Sequence, residues 1–342
     1  MKDMKTQLLP ATDETLALAA RLLAEGELVA FPTETVYGLG AHAMDAQAVL
    51  GIFSAKGRPA DNPLIVHIHD RSQLDAICEV NDAAIRLMDA FWPGPLTLVM
   101  PKKDIVPHAT CAGLDSVGVR CPDHPVALAL IQAAKVPVAA PSANTSGKPS
   151  PTRAKHVFED MQGKIPLILD GGDCTVGVES TVLSVTGDIP VILRPGKVTQ
   201  QDIAAVAGDC KVADSVMRPL RENESAPSPG MKHRHYAPEG KMTIVQGRDE
   251  AQVVSLLKAM YDENENACIL CRENLMTAFD ERRVFSLGNT PEDTARILFA
   301  ALRDMDDMKV SRILCQGWDT GGVGLAVMNR MARAAAFDII EA

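Results

Sequence analysis

Residues 215–241 hold Pro219, Pro227, Pro229, Gly230, Pro238 and Gly240 and show little apolar periodicity. Proline at that density continues neither a helix nor a central strand, so the chain is punctuated there. At 342 residues the chain is also longer than one ordinary core organises. Two folded units are expected, at 1–214 and 242–342, joined by a linker at 215–241. MKHRHY (231–236) is unusual for a spacer, because it carries cations, imidazoles and an aromatic ring where Ser, Gly and Glu are the rule.

Before the linker, residues 13–25 form an amphipathic helical pattern that Thr12 or Asp13 can cap and Gly26 can end. Buried strands are predicted at 28–32, 64–69, 97–101, 117–120, 136–140, 167–170, 180–185 and 191–194. Helices are predicted from Asp45 to about Phe53 and near 72–78, 82–91 and 125–134. PTETVYGLGA (32–41) and KGRPADNP (56–63) read as loops. Some strands follow one another directly and the helices are uneven, which predicts a mixed α/β sheet. After the linker, strands at 242–247, 267–271 and 312–317 alternate with helices at 249–260, 291–303 and 324–336. That alternation predicts a small parallel sheet.

The formal net charge is −10: residues 1–214 carry 18 Lys and Arg against 25 Asp and Glu, and residues 241–342 carry 12 against 16. Neither unit has the basic surplus that a long-lived nucleic-acid complex requires, and an aromatic share of 4% argues against serial base stacking. A local basic pocket remains open. The start of the chain has an amphipathic helix where a signal peptide would have an apolar core, and no apolar run reaches membrane-spanning length. Eight scattered cysteines show no disulfide framework, so a cytoplasmic protein is expected.

Four cations stand beside predicted strands. Lys56 and Arg58 lie in a loop before one strand, Arg120 closes VGVR and Arg194 closes VILR. Cations at strand ends can converge on one cleft and neutralise a triphosphate, though any one alone reads sooner as a solvated surface charge. PSANTSGKPSP (141–151) offers short hydroxyl and amide donors with Gly147 allowing close approach, which suits phosphate, ribose or a plain turn. Neither GxxxxGK[ST] nor GxGxxG occurs. Any ATP would therefore be held by dispersed side chains with Mg²⁺, which leans on substrate phosphates and needs no carboxylate cage. Asp170, Asp173 and Glu179 cannot be assigned as ligands, so metal-binding residues stay unknown.

Thr33, Thr35 and Tyr37 place polar groups in an apolar context, as for a small polar substrate. His67 and His69 share a strand face, but no third metal ligand is evident. Cys268 and Cys271 form a CxxC within a strand, where residues three apart face opposite ways, so they read as packed thiols. GWDTGGVGLAVMNR (317–330) reads either as an anion site at a helix start or as a tight connection.

Eight ordered blocks, taken together, resemble the YrdC-like threonylcarbamoyl-AMP synthases in their long two-domain form. They are FPTETVYGLGA (31–41), KGRPADNPLIVHI (56–68), FWPGPLTLV (91–99), VGVRCP (117–122), APSANTSGKPSPT (140–152), LDGGDCTVGVESTV (169–182), ILRPG (192–196) and SPGMKHRHYAP (228–238). The resemblance covers nearly the whole chain. It implies an α/β fold: a YrdC-like twisted mixed sheet with a concave cleft, a linker folding over it as a lid, and a small Rossmann-like C-terminal domain. It also implies the synthesis of L-threonylcarbamoyl-AMP and pyrophosphate from L-threonine, bicarbonate and ATP. A tRNA-modifying transferase complex would then move the product to an adenosine beside the anticodon, with at most transient tRNA contact.

On the same resemblance, Lys56 and Arg58 would be catalytic. Thr35, His67, Arg120, Ala140 and Ser180 would hold L-threonine. Arg58, Asn62, Ser116, Ser142, Asn144, Ser150 and Arg194 would contact ATP, joined by Arg234, His235 and Tyr236 from the linker. His233 departs from the pattern, where an aromatic such as Tyr is expected. The rival class is a non-catalytic double-stranded RNA or tRNA-binding module. A related carbamoyl-transferring enzyme would carry zinc-finger and acyl-phosphatase-like segments, which this chain lacks.

Overall fold

A computed structural model describes residues 4–218 and 236–342. The larger sheet has eleven strands. In chain order they are β1 (Gln7–Pro10), β2 (Val29–Phe31), β3 (Gly38–His42), β4 (Ile65–His67), β5 (Leu96–Pro101) and β6 (Ser116–Arg120). Then come β7 (Val138–Ala139), β8 (Leu167–Asp170), β9 (Thr181–Ser184), β10 (Val191–Arg194) and β11 (Lys211–Val212). Their spatial order is β1-β8-β2-β3-β7-β4-β6-β5-β9-β10-β11, with parallel and antiparallel pairings interleaved. The mixed α/β sheet is as expected.

Three of these strands, β1, β3 and β11, go beyond the expected set. β3, apart from His42, lies within the segment 32–41 read as a loop. Its glycines are matched to neighbouring strands: a Cβ on Gly40 would lie 2.8 Å from the Phe31 ring and 2.9 Å from Val138. Thr12 caps the first helix, Asp13–Ala24, through a capping box with Thr15, and Gly26 follows it with φ +85°. Asp45 caps Ala46–Lys56, which runs on past Phe53 to Gly57 in the left-handed region.

One face of this sheet is covered only in part. Helices Asp13–Ala24 and Pro125–Ala134 pack their Ala19, Leu23, Leu130 and Ile131 on Val29, Phe31, Val138 and Leu167. Further along the same face, register pairs His67 with Arg120 and Ile65 with Gly118, and among the described residues the apolar cluster beside them is made of strand residues alone. This uncovered stretch is the cleft. The opposite face carries the main core.

The second sheet contains β12 (Lys241–Gln246), β13 (Ala267–Cys271), β14 (Val284–Ser286), β15 (Arg312–Gln316) and β16 (Ile339–Glu341). All its pairings are parallel, in the order β14-β13-β15-β12-β16. Helix Glu250–Asp262 covers one face, and helices Pro291–Asp307 and Gly324–Ala334 cover the other. Cys268 and Cys271 fall into these two different layers, as their spacing requires. The layer holding the two long helices also takes in Val36, Val176, Val178 and Tyr236, so both units share one apolar cluster.

Candidate active site

The cleft has two differently built ends. At one end Arg120 closes β6 with its guanidinium buried. It forms an ion pair with Glu34 at 2.6 Å, and its Nε donates to the Gly94 carbonyl at 3.2 Å. Its Nη1 donates to Thr35 Oγ1 at 2.9 Å. Thr33 Oγ1 donates to the Val36 carbonyl at 2.6 Å, so the 2.8 Å contact between the two threonines runs from Thr35 to Thr33. Thr35 therefore donates to Thr33 and accepts from Arg120, which fixes its direction. Ser180 Oγ lies 2.8 Å from Thr97 Oγ1. A Cβ on Gly38 would sit 3.2 Å from that of Ala140, so glycine keeps this wall low.

His67 is buried here, with Nδ1 3.2 Å from the Ile65 carbonyl and its ring edge-on to Phe31. Burial, and then the nearby Arg120 charge, push its pKa down to about 3. The folded protein therefore holds it neutral, while the unfolded chain takes up a proton below about 6.5. The stability this contributes is complete above pH 6.5 and is lost as pH falls towards 3. The expected slope is up to about 1.4 kcal/mol per pH unit in that window. Denaturant titrations at several acidic pH values should show that slope reduced in His67→Gln; equal slopes would mean that His67 is charged in the folded state.

At the other end Arg194 Nε and Nη2 both donate to the Ser180 carbonyl at 3.1 Å. Burial lowers the pKa of Arg58 and of Arg194 to about 10, which leaves both charged near neutral pH. Ser142 Oγ donates to Asn144 Oδ1 at 2.5 Å. Ser150 Oγ donates to Glu179 Oε1 at 2.6 Å. Arg58 Nε and both polar side-chain atoms of Asn62 are buried without a hydrogen-bond partner among the described residues. Orphaned buried donors are costly, and a polar ligand is the ordinary way to satisfy them.

Thr35, Arg58, His67, Arg120, Ala140, Ser142, Asn144, Ser150, Ser180, Arg194 and Tyr236 line this one cavity. Three expected residues do not. Asn62 stands behind Arg58, with its carbonyl 3.4 Å from the guanidinium. Ser116 opens β6 at the far end from Arg120, on the same sheet face. Lys56 ends its helix with Nζ on the carbonyls of Ser142 and Asn144, the latter at 2.7 Å. Its ammonium thus ties down the 141–151 loop at two residues, Ser142 and Asn144, that themselves line the cavity. Burial, then Arg58, pull its pKa well below the usual lysine value. Arg234 and His235, with His233, lie outside the described residues.

Sequence reading missed Glu34, left Glu179 unassigned and overlooked Arg330, although all three are buried and charged. The signal at Arg330 was a charge within a largely apolar helical run, VMNRMA; Glu34, between two threonines, carried no such mark. No group of three or more His, Cys, Asp and Glu that could hold a metal occurs among the described residues.

Residues 21–196 match the Sua5/YciO/YrdC family, described as telomere recombination, and residues 198–336 match the threonylcarbamoyl-AMP synthase C-terminal domain. The chain is 48% identical to a threonylcarbamoyl-AMP synthase of Pyrococcus abyssi, over 95% of both proteins. It is 47% identical to one of Bacillus subtilis, over 98% of this chain and 97% of that protein. One from Cellvibrio japonicus is shorter: 31% identity covers 45% of this chain and 82% of that protein. Among solved structures, P. abyssi Sua5 in complex with L-threonine superposes with a TM-score of 0.91, at 45% identity and 99% coverage of each chain.

Proposed function

The chain belongs to the Sua5/YciO/YrdC family, and on that premise we propose that it is a threonylcarbamoyl-AMP synthase that joins L-threonine, bicarbonate and ATP. The observation that carries this reading is the two-ended cleft. One end has a buried guanidinium with a hydroxyl relay, suited to an amino-acid carboxylate and side-chain hydroxyl. The other has two buried guanidiniums, and Arg58 Nε has no hydrogen-bond partner among the described residues, which suits phosphates.

The threonine amine takes up carbon dioxide, or bicarbonate with loss of water, to give a carbamate. A carbamate oxygen then forms a bond to the α-phosphorus of ATP while the bond to the pyrophosphate oxygen breaks. Arg120 holds the carboxylate, Thr35 and neutral His67 orient the amino acid, and Arg58 and Arg194 offset charge on the phosphate oxygens. Positioning and electrostatics are the means, and no covalent nucleophile is required. Mg²⁺ suits this donor set as an ion carried by the nucleotide, since Glu34 and Glu179 are both held by arginines. It would neutralise phosphate charge. The product is a mixed anhydride sensitive to water, so the segment around Arg234, His235 and Tyr236 would act as a lid. A tRNA-modifying transferase would consume the product, in the cytoplasm.

The test is pyrophosphate release with ATP, Mg²⁺ and bicarbonate, with and without L-threonine. Threonine-dependent release that falls at least a hundredfold in Arg58→Ala is expected. Release indifferent to threonine would overturn the reading.

A further inference from the structure

The helix Gly324–Ala334 belongs to the second unit, yet its Arg330 is fully buried against the first. Arg330 Nε donates to Glu179 Oε2 at 2.8 Å, and Nη2 reaches the Glu179 carbonyl at 3.4 Å. Nη1 donates to Asn329 Oδ1 at 2.8 Å, and the Asn329 amide donates to the Val216 carbonyl. The guanidinium also lies over the Tyr236 ring, 5.8 Å from its centroid, and that ring stacks on Phe299. Tyr236 and Glu179 both line the cleft.

The loop that delivers Glu179 is docked just as closely. Val176 and Val178 are buried in the second unit's apolar cluster. Gly177, at φ +83°, passes so near the helix Pro291–Asp307 that a Cβ would lie 2.4 Å from the Ala295 carbonyl oxygen and the Arg296 Cα. Glu179 therefore cannot shift without moving the second unit.

Burial alone would raise the Glu179 pKa, but Arg330 and Arg194 outweigh it and bring it to about 2, so the group is a carboxylate at neutral pH. A bare carboxylate would repel a polyphosphate from the very end of the cleft that Arg58 and Arg194 make positive. We propose that Arg330 is a positioning residue for the nucleotide: it cancels the Glu179 charge across the domain boundary and holds that carboxylate on Ser150. This rests on the nucleotide reading of the cleft given above. Because Ser150 donates its proton to Glu179, its oxygen faces the cavity as an acceptor only. It then suits a hydroxyl donor such as ribose, and not a phosphate oxygen.

The experiment compares the full-length wild type, Arg330→Met, Glu179→Gln and the double variant. It measures Mg-ATP binding by calorimetry and separate KM values for ATP and threonine. Arg330→Met should weaken ATP at least tenfold while leaving the threonine KM within about twofold. Adding Glu179→Gln to Arg330→Met should bring ATP binding to within about threefold of the Glu179→Gln single variant, because no bare carboxylate then remains beside the phosphates. A merely structural pair predicts the opposite: both single variants weaken ATP and threonine alike, the double variant is no better, and the proposal fails. Should Arg330→Met not fold alone, the double variant carries the test: ATP binding more than tenfold weaker than in Glu179→Gln would by itself overturn the proposal. If the wild type binds no ATP, the nucleotide reading fails and takes this proposal with it. If the wild type and Arg330→Met bind ATP equally, only this proposal fails.

Discussion

Arg120→Ala should abolish the use of threonine and destabilise the protein at once, for two separable reasons. The guanidinium is the cation at the amino-acid end of the cleft, and a bidentate pair with a carboxylate makes two charge-assisted hydrogen bonds. At about 1.5–3 kcal/mol each, their loss lowers kcat/KM for threonine by at least two powers of ten. The second reason lies in the apo structure. Glu34 is buried, and its ion-pair partner among the described residues is Arg120, at 2.6 Å. Truncating one member of a buried pair leaves an uncompensated charge and costs about 3–5 kcal/mol. Thermal unfolding and threonine titration read the two effects apart. The double variant Arg120→Ala/Glu34→Gln should regain much of the stability and none of the threonine affinity. Arg120→Lys keeps the charge but not the fork, so it should rescue folding better than binding. A threonine KM unchanged in a folded Arg120→Ala protein would remove Arg120 from the site.

Most of the cleft could be read from the chain, because its parts are strand ends and turn-rich loops with distinctive local composition. Arg120 and Arg194 stand at the ends of strands whose apolar runs predict them, and Gly26 ends its helix as expected. What stayed hidden depends on long-range partners. β3 looks like a loop because Gly38 and Gly40 lower its strand propensity, but Phe31, Val138 and Ala140 fill the space those glycines leave. Lys56 is grouped with Arg58 by their place two apart in one predicted loop and by the family resemblance, neither of which gives the direction of its side chain. Helix geometry instead turns its ammonium to the carbonyls of a loop 86 and 88 residues away in sequence. Glu179 and Arg330 are 151 residues apart, and neither segment carries a local mark of the other. Pattern and propensity describe what a segment does with its neighbours in the chain; a cross-domain ion pair is legible only once both units are folded and docked.

That docking governs the expected effect of deleting residues 228–342: loss of threonine-dependent pyrophosphate release by two orders of magnitude or more. A tether would be dispensable for chemistry, but the second unit grips three parts of the cleft wall. Arg303 donates to the Pro149 carbonyl at 2.6 Å and to Asp160 at 2.8 Å, which holds the loop bearing Ser142, Asn144 and Ser150. Arg330 holds Glu179. The shared apolar cluster covers Val36, Val176 and Val178, which the deletion would expose. The truncated chain would also lose Tyr236 from the cavity lining. The first unit's surface at Val36, Val176 and Val178 is built to be covered. Arg303→Ala in the full chain separates the two possibilities. If the grip matters, this single change should raise the ATP KM several-fold through the loosened 141–151 loop with both units still folded. Full turnover in the truncated protein, together with unchanged ATP kinetics in Arg303→Ala, would reduce the second unit to an appendage and leave its two buried arginine grips, Arg303 and Arg330, without a catalytic consequence.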